Sequence, residues 1–255
     1  MYYADVTSAP AIVCDGLVKR YGSVVAVNRL SLTVERGECF GLLGPNGAGK
    51  TTTIEILEGL LQPDDGRVDV LGMNWARHES ALRQRLGIQL QETQFSDKLT
   101  VRETVRMFRA FYDEGRTVDE VIALVDLGSK ADSWVGKLSG GQKQRLALAC
   151  AMVGSPDVIF LDEPTTGLDP QSRRQLWDLL RTFRGGGGTI LLTTHYMDEA
   201  ELLCDRVAIV DQGQVIALET PKALIASLGA PKVVTQEGTL EDVFVSLTGR
   251  HLRDE

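Results

Sequence analysis

Three short stretches carry residue types suited to holding a phosphate ester. The first is Gly44-Pro45-Asn46-Gly47-Ala48-Gly49-Lys50-Thr51, which fits the pattern G-x-x-x-x-G-K-[ST]. Glycines let the backbone curl until several N–H groups point at one set of phosphate oxygens. A helix beginning at Lys50 adds its favourable dipole. In that setting Lys50 would neutralise the β- and γ-phosphates of a nucleotide, Thr51 would offer its hydroxyl to Mg2+, and Thr52 would reach the α-phosphate. The second stretch is the apolar run Val158–Leu161 followed by Asp162-Glu163. Such a run marks a buried parallel strand. It would deliver Asp162 to its end, where the carboxylate can hold Mg2+ through water. Glu163 beside it can polarise an attacking water as general base. Alone, the acidic pair could as well cap a strand; beside the phosphate loop it has a metal to serve. The third stretch, Leu138-Ser139-Gly140-Gly141-Gln142, places a serine and two glycines at a helix start, again an anion site.

Together, and in this order along the chain, these stretches resemble the ABC (ATP-binding cassette) ATPases, whose signature reads L-S-G-G-Q between the phosphate loop and the acidic strand. The resemblance covers roughly Ala11 to Leu228 and implies ATP and Mg2+ as cofactors. It implies that Ser139 and Gly141, within the signature Ser139-Gly140-Gly141-Gln142, contact the γ-phosphate of ATP held by a second subunit. Such proteins work as head-to-tail dimers with two ATPs at the interface. Tyr21, in Lys19-Arg20-Tyr21-Gly22, looks like the aromatic that stacks on adenine. Gln91 matches the Q-loop glutamine, which senses Mg2+ and water and faces the membrane partner. The proline often found before that glutamine is missing from Leu86-Gly87-Ile88-Gln89-Leu90-Gln91-Glu92, and Gln89 and Gln94 compete for the role. Gly167-Leu168-Asp169 looks like the D-loop, with Asp169 linking the two sites. His195, in Thr193-Thr194-His195, looks like the switch histidine that bonds the γ-phosphate. His78 and His251 lack such a context and read as surface residues. No motif is degenerate, so both sites of a homodimer are expected to be competent.

Two further segments point to a subclass. Thr194-His195-Tyr196-Met197-Asp198-Glu199-Ala200-Glu201 resembles the switch region of export-type cassettes for drugs, polysaccharides, lipids or ions. The tail Leu240-Glu241-Asp242-Val243-Phe244-Val245-Ser246-Leu247-Thr248-Gly249-Arg250 is similar to their C-terminal segment. The implied protein drives substrate export through membrane-spanning permease subunits, beside a second ATPase subunit that is the same chain or a paralogue. It would sit peripherally on the cytoplasmic face of the membrane. The alternative is a soluble ABC ATPase acting on ribosomes or nucleic acid. Lys and Arg number 27 against 35 Asp and Glu, a net charge of −8, where a phosphate-backbone binder usually shows a basic face. Neither sustained heptads nor cysteine clusters are present, so no nucleic-acid partner is expected.

The elements that must position these residues are legible in outline. At 43% hydrophobic and 24% charged, the composition is that of a globular domain. The longest apolar candidate, Leu146 to Gly154, is about half the ~20 residues that span a bilayer. Met1 to Pro10 does not read as a signal peptide. Cys14, Cys39, Cys150 and Cys204 are scattered and read as free buried thiols. Strands are expected at Ala11–Leu17, Ser23–Val27, Leu30–Val34, Glu38–Leu43, Arg67–Leu71, Leu86–Leu90, Val158–Leu161, Thr189–Thr193, Arg206–Val210 and Val215–Leu218. Helices are expected at Lys50–Leu61, after the capping box Thr100/Glu103, at Val118–Leu127, after Gly141, after Pro170 and from Pro221. Strands alternating with helices argue for an α/β core with a mostly parallel sheet and a helical insert at about 98–156; the resemblance implies that the core is that of a P-loop NTPase, with an N-terminal antiparallel β subdomain. An ATPase domain over 1–228 would be followed by a tail, 229–255, with a short amphipathic helix.

Overall fold

A computed structural model of the chain describes residues 9–90, 94–228 and 239–248. Along the chain run β1 (Ile12–Tyr21), β2 (Val24–Val34), β3 (Cys39–Leu43), α1 (Lys50–Leu57), β4 (Asp65–Val70), α2 (Trp75–Arg83) and β5 (Leu86–Gln89). Next come α3 (Val101–Arg109), α4 (Val118–Leu124), α5 (Gly140–Met152), β6 (Val158–Asp162), α6 (Pro170–Gly185) and β7 (Thr189–Thr193). The chain continues through α7 (Met197–Leu203), β8 (Arg206–Asp211), β9 (Gln214–Glu219), α8 (Pro221–Ala226) and α9 (Leu240–Thr248). Packing divides it into two compact units, Met1–Arg77 with Leu191–Glu255, and His78–Ile190.

In the first unit an antiparallel sheet has the order β2-β1-β4. The two strands expected over 23–34 are one. The register slips between Leu17↔Leu30 and Val18↔Asn28, which leaves Arg29 as a bulge at φ 54°. A bulge absorbs one extra residue and lets the ladder continue. Asp64 ties the next turn to β1, accepting from the Arg20 N–H at 2.6 Å and the Lys19 ammonium at 3.2 Å. In the same unit β3 pairs in parallel with β8, and β8 antiparallel with β9. Every residue of β3 is buried, as a wholly apolar strand requires. The amphipathic stretch expected in the tail is α9. Its Leu240, Val243 and Phe244 are buried, it packs on α7 and α8, and Glu201 of α7 accepts the Leu240 N–H at 2.8 Å.

In the second unit β5 pairs in parallel with β6, from Leu86↔Val158 to Gln89↔Leu161. The Thr189 N–H donates to Asp157 O at 2.9 Å, which lays the start of β7 by the start of β6. The stretch expected to be helical holds α3, α4 and α5, joined by a core that includes Val101, Val105, Val121, Ile122, Leu146 and Val153. Thr100 caps α3 and Thr117 caps α4, each in a reciprocal box with the glutamate three residues on. All four cysteines are free and buried. Burial pushes the Cys14 thiol up to about 12. Among the described residues no helix is long and apolar enough to cross a membrane.

Candidate nucleotide site

The phosphate loop lies in the first unit, between β3 and α1, the strand–loop–helix context its pattern demands. Gly49 is the N-cap of α1 at φ 98°, and no side chain caps the helix. No capping side chain therefore competes with a ligand for the N–H groups of its first turn. A Cβ on Gly49 would stand 2.2 Å from Ala26 O, so only glycine lets the loop lie this close to β2. The turn between β8 and β9 braces the loop from outside: the Gly213 N–H donates to Ala48 O at 2.9 Å, and Gly213 O accepts from the Asn28 N–H at 2.9 Å. Lys50 is buried, and its ammonium donates to Gly44 O at 2.7 Å and Pro45 O at 3.0 Å. The cation is thus folded over its own loop, available to exchange carbonyls for phosphate oxygens. Asn46, Gly47 and Thr51 are exposed, and Thr52 is half-buried. An uncapped helix start, a glycine cradle and an inward ammonium fit a nucleotide polyphosphate.

Tyr21 and His195 belong to the same unit. Tyr21 ends β1 with 50% of its surface exposed, and the Lys19 ammonium is 5.9 Å from its ring centroid. His195 follows β7 and is half-buried; its ring lies 4.2 Å from that of Tyr196.

The second unit holds the acidic pair and the signature. β6 is buried throughout and ends at Asp162, 6% exposed. Glu163 takes φ 50°, a left-handed backbone uncommon for a residue with a side chain. Strain of this kind concentrates at functional positions. The Thr166 hydroxyl donates to Glu163 Oε2 at 3.1 Å and so helps to aim the carboxylate. A carboxylate on Asp162 and a hydroxyl on Thr51 are hard oxygen donors of the type Mg2+ prefers.

Ser139 is the N-cap of α5, in a capping box with Gln142: its Oγ accepts the Gln142 N–H at 3.2 Å, and its own N–H donates to Gln142 Oε1 at 2.9 Å. A Cβ on Gly141 would meet Ser172 Oγ at 2.6 Å, whereas one on Gly140 would meet nothing. Ser172 in turn donates its hydroxyl to Asp169 Oδ2 at 2.6 Å. Asp169 is the N-cap of α6 and also accepts the Gln171 and Ser172 N–H groups at 3.0 Å. These bonds, the Ser172 hydroxyl first, hold its carboxyl below the usual range. Gln91 lies outside the described residues. Of its two competitors, Gln94 is exposed, and Gln89 is 1% exposed with its Nε2 donating to Gln144 Oε1 at 3.2 Å.

Sequence reasoning missed the supporting residues Gly213, Thr166, Ser172 and Gln144. Asp169-Pro170-Gln171-Ser172 carries a readable cap signal, aspartate before an N1 proline. Thr166, three residues past a glutamate, is a weaker one. Nothing local announces that Gly213 braces a loop formed by residues 44–49.

The family described as ABC transporter matches residues 27–166. The chain is 48% identical over 216 residues to the Nod factor export ATP-binding protein I of Burkholderia lata, covering 82% of this chain and 70% of that one. It is 42% identical over 228 residues to the daunorubicin resistance ATP-binding protein DrrA3 of Streptomyces coeruleorubidus, covering 88% and 72%. Among solved structures, an ATP-binding subunit of an ABC transporter superposes with a TM-score of 0.82 at 27% identity, covering 93% of this chain and 99% of that one. A dimeric post-hydrolysis cassette bound to ADP and Pi shares the fold, with a TM-score of 0.74 at 24% identity over 82% of this chain and 98% of that one. With a phosphate loop, signature and acidic strand each built as described, the chain belongs to the ABC transporter family, as an ATP-binding and ATP-hydrolysing subunit.

Proposed function

We propose that this subunit powers an exporter from the cytoplasmic face of a membrane, through separate membrane-spanning permease subunits. The observation that carries the ATP chemistry is the uncapped start of α1, with the Lys50 ammonium turned into the loop. The names of its relatives, an export ATP-binding protein and a drug-resistance ATP-binding protein, support the direction of transport. Two cassettes, identical or paralogous, close head to tail around two ATPs. Each nucleotide is held by Gly44–Thr52 of one and by Ser139–Gln142 of the other, with Tyr21 on adenine. Mg2+, when bound, neutralises phosphate charge; Thr51, Asp162 and Gln91 hold it. Glu163 takes the proton of the attacking water, His195 bonds the γ-phosphate, and Asp169 relates the two sites. ATP must bind the closed state better than the open one if closure is to drive the permease. Residues 1–228 form the ATPase domain, with the helical insert at about 98–156, and 229–255 form the tail.

The test is Glu163→Gln. Loss of the general base should slow phosphate release by about 100-fold or more, while ATP and Mg2+ hold the variant as a dimer on gel filtration. Wild-type release would remove Glu163 from its role. The same trapped variant, tagged and used to capture partners from detergent-solubilised membranes, should recover a multi-span membrane protein. Recovery of ribosomes instead would move the chain to the soluble branch.

A further inference from the structure

Gln89 ends β5 with 1% of its surface exposed, a rare place for an amide. Its Nε2 donates to Gln144 Oε1 of α5 at 3.2 Å, but its own Oε1 is buried and has no hydrogen-bond partner among the described residues. Buried polar atoms are nearly always paired, and one left alone costs stability. A pair of methionines would fill the same space without that cost. Stability is therefore not what the amide pair contributes, and its place in the second unit shows what it can do instead.

Gln89 pairs in register with Leu161 of β6, the residue before Asp162. Gln144 lies about 7.5 Å along α5 from its N-cap Ser139. The amide pair thus spans from the acidic strand end to the signature helix. The other contacts of α5 here carry less direction. A Cβ on Gly87 would stand 2.1 Å from Ala151 O, so β5 and α5 touch backbone to backbone about two turns further along the helix than Gln144. The chain entering α5 is held by the Val135 N–H, which donates to Leu99 O at 2.9 Å, and by the Gly136 N–H, which donates to Asp97 O at 3.2 Å. Those bonds fix where the chain enters α5, and the glycine contact fixes how near the helix lies. Neither fixes how far α5 is rolled about its own axis. A side-chain hydrogen bond, with its preferred angle, does.

We propose that Gln89 and Gln144 are positioning residues for ATP hydrolysis. Their amide bond sets the roll of α5, and so aims Ser139 and Gly141 relative to the end of β6 that carries Asp162 and Glu163. The proposal rests on the reading of Ser139 as a contact to the ATP of a second subunit. On that reading Glu163 serves one ATP and Ser139 the other, and a single bond registers the two sites of the dimer.

The test replaces either or both glutamines by methionine in the full chain. The double variant Gln89→Met with Gln144→Met should match or exceed the wild type in urea stability, while kcat for phosphate release falls about tenfold. Each single variant should lose as much turnover as the double, because each removes the same bond. ADP affinity, measured calorimetrically, should stay within about twofold, since the phosphate loop lies in the other unit. Gln144→Glu keeps an acceptor for the Gln89 amide and should hold turnover within about twofold of the wild type. Wild-type turnover by the double variant would overturn the proposal. Loss of stability and turnover together in the double variant, or a Gln144→Glu as slow as Gln144→Met, would reduce the pair to a packing contact. Ser139→Ala separates the two readings. If it turns over ATP at the wild-type rate, the signature reading falls and the proposal with it; if it is slow while the double variant is not, the amide pair falls alone.

Discussion

The residues that touch phosphate announce themselves because each requires a local backbone pattern. Gly49 and Lys50 sit where a helix must start uncapped, and Asp162 sits where a buried strand must end. The residues that hold them in place announce less, because their partners are remote in sequence. Gly141 is the clearest case. The signature implies phosphate contact at this glycine, yet the structure also packs it against Ser172, which donates to Asp169. A methyl at Gly141 must push Ser172 away and loosen the cap of α6. Gly141→Ala should therefore cut phosphate release by about tenfold, since ~1.4 kcal/mol of misplacement suffices. The circular dichroism spectrum should stay that of the wild type. Ser172→Gly in the same chain removes the obstructing side chain and should restore part of the turnover. If the double variant is no faster than Gly141→Ala, the defect comes from phosphate contact alone.

Among the elements, those with a cap and a buried stripe were legible, and those without were not. Thr100/Glu103 predicted α3 and its capping box. α2 escaped because Leu82 is its one buried residue and its helix is broken in geometry at His78. α7 is short and enters from Tyr196 with no side-chain cap. The caps have an energetic signature. Thr100→Ala should destabilise the chain by about 1 kcal/mol in urea. Thr100 holds the Glu103 carboxyl below its usual range, chiefly through the backbone N–H, and Thr117 does the same for Glu120. A carboxyl whose folded pKa is depressed binds its proton more readily in the unfolded chain. Its contribution is whole above the unfolded value, about pH 4, and is lost as pH falls through the depressed folded value. Stability measured against pH should fall below about pH 4, and Glu103→Gln with Glu120→Gln should flatten that fall. An unchanged slope would mean that the caps add nothing to acid stability.

At the scale of the whole chain, the α/β class was legible because wholly apolar runs alternate with striped ones. The division into two units was not, since it falls inside α2 and inside β7, at no glycine- or proline-rich linker. Nor did the sequence reveal what joins the sheets of the first unit. Arg206, the first residue of β8, donates to both oxygens of Glu38, just before β3, at 2.6 and 2.8 Å, and to Thr33 O of β2 at 2.9 Å. Glu38 is buried and also accepts the Glu35 N–H at 2.7 Å. A paired fork on a buried carboxylate differs from a surface ion pair, whose contribution is about 0–1 kcal/mol. Glu38→Ala leaves the partly exposed guanidinium with the Thr33 carbonyl, the Phe40 ring and the weaker pull of Glu35 and Glu219, so it should cost about 2 kcal/mol in urea denaturation. Replacing both partners by methionine removes the desolvated charges together and should recover much of that loss. Both effects should persist in high salt, because ions reach this pair poorly. A loss of about 0.5 kcal/mol or less that disappears with salt would reduce the pair to a surface bridge. The junction between the two sheets would then rest on apolar packing, with Phe40 and Val207 as its first candidates.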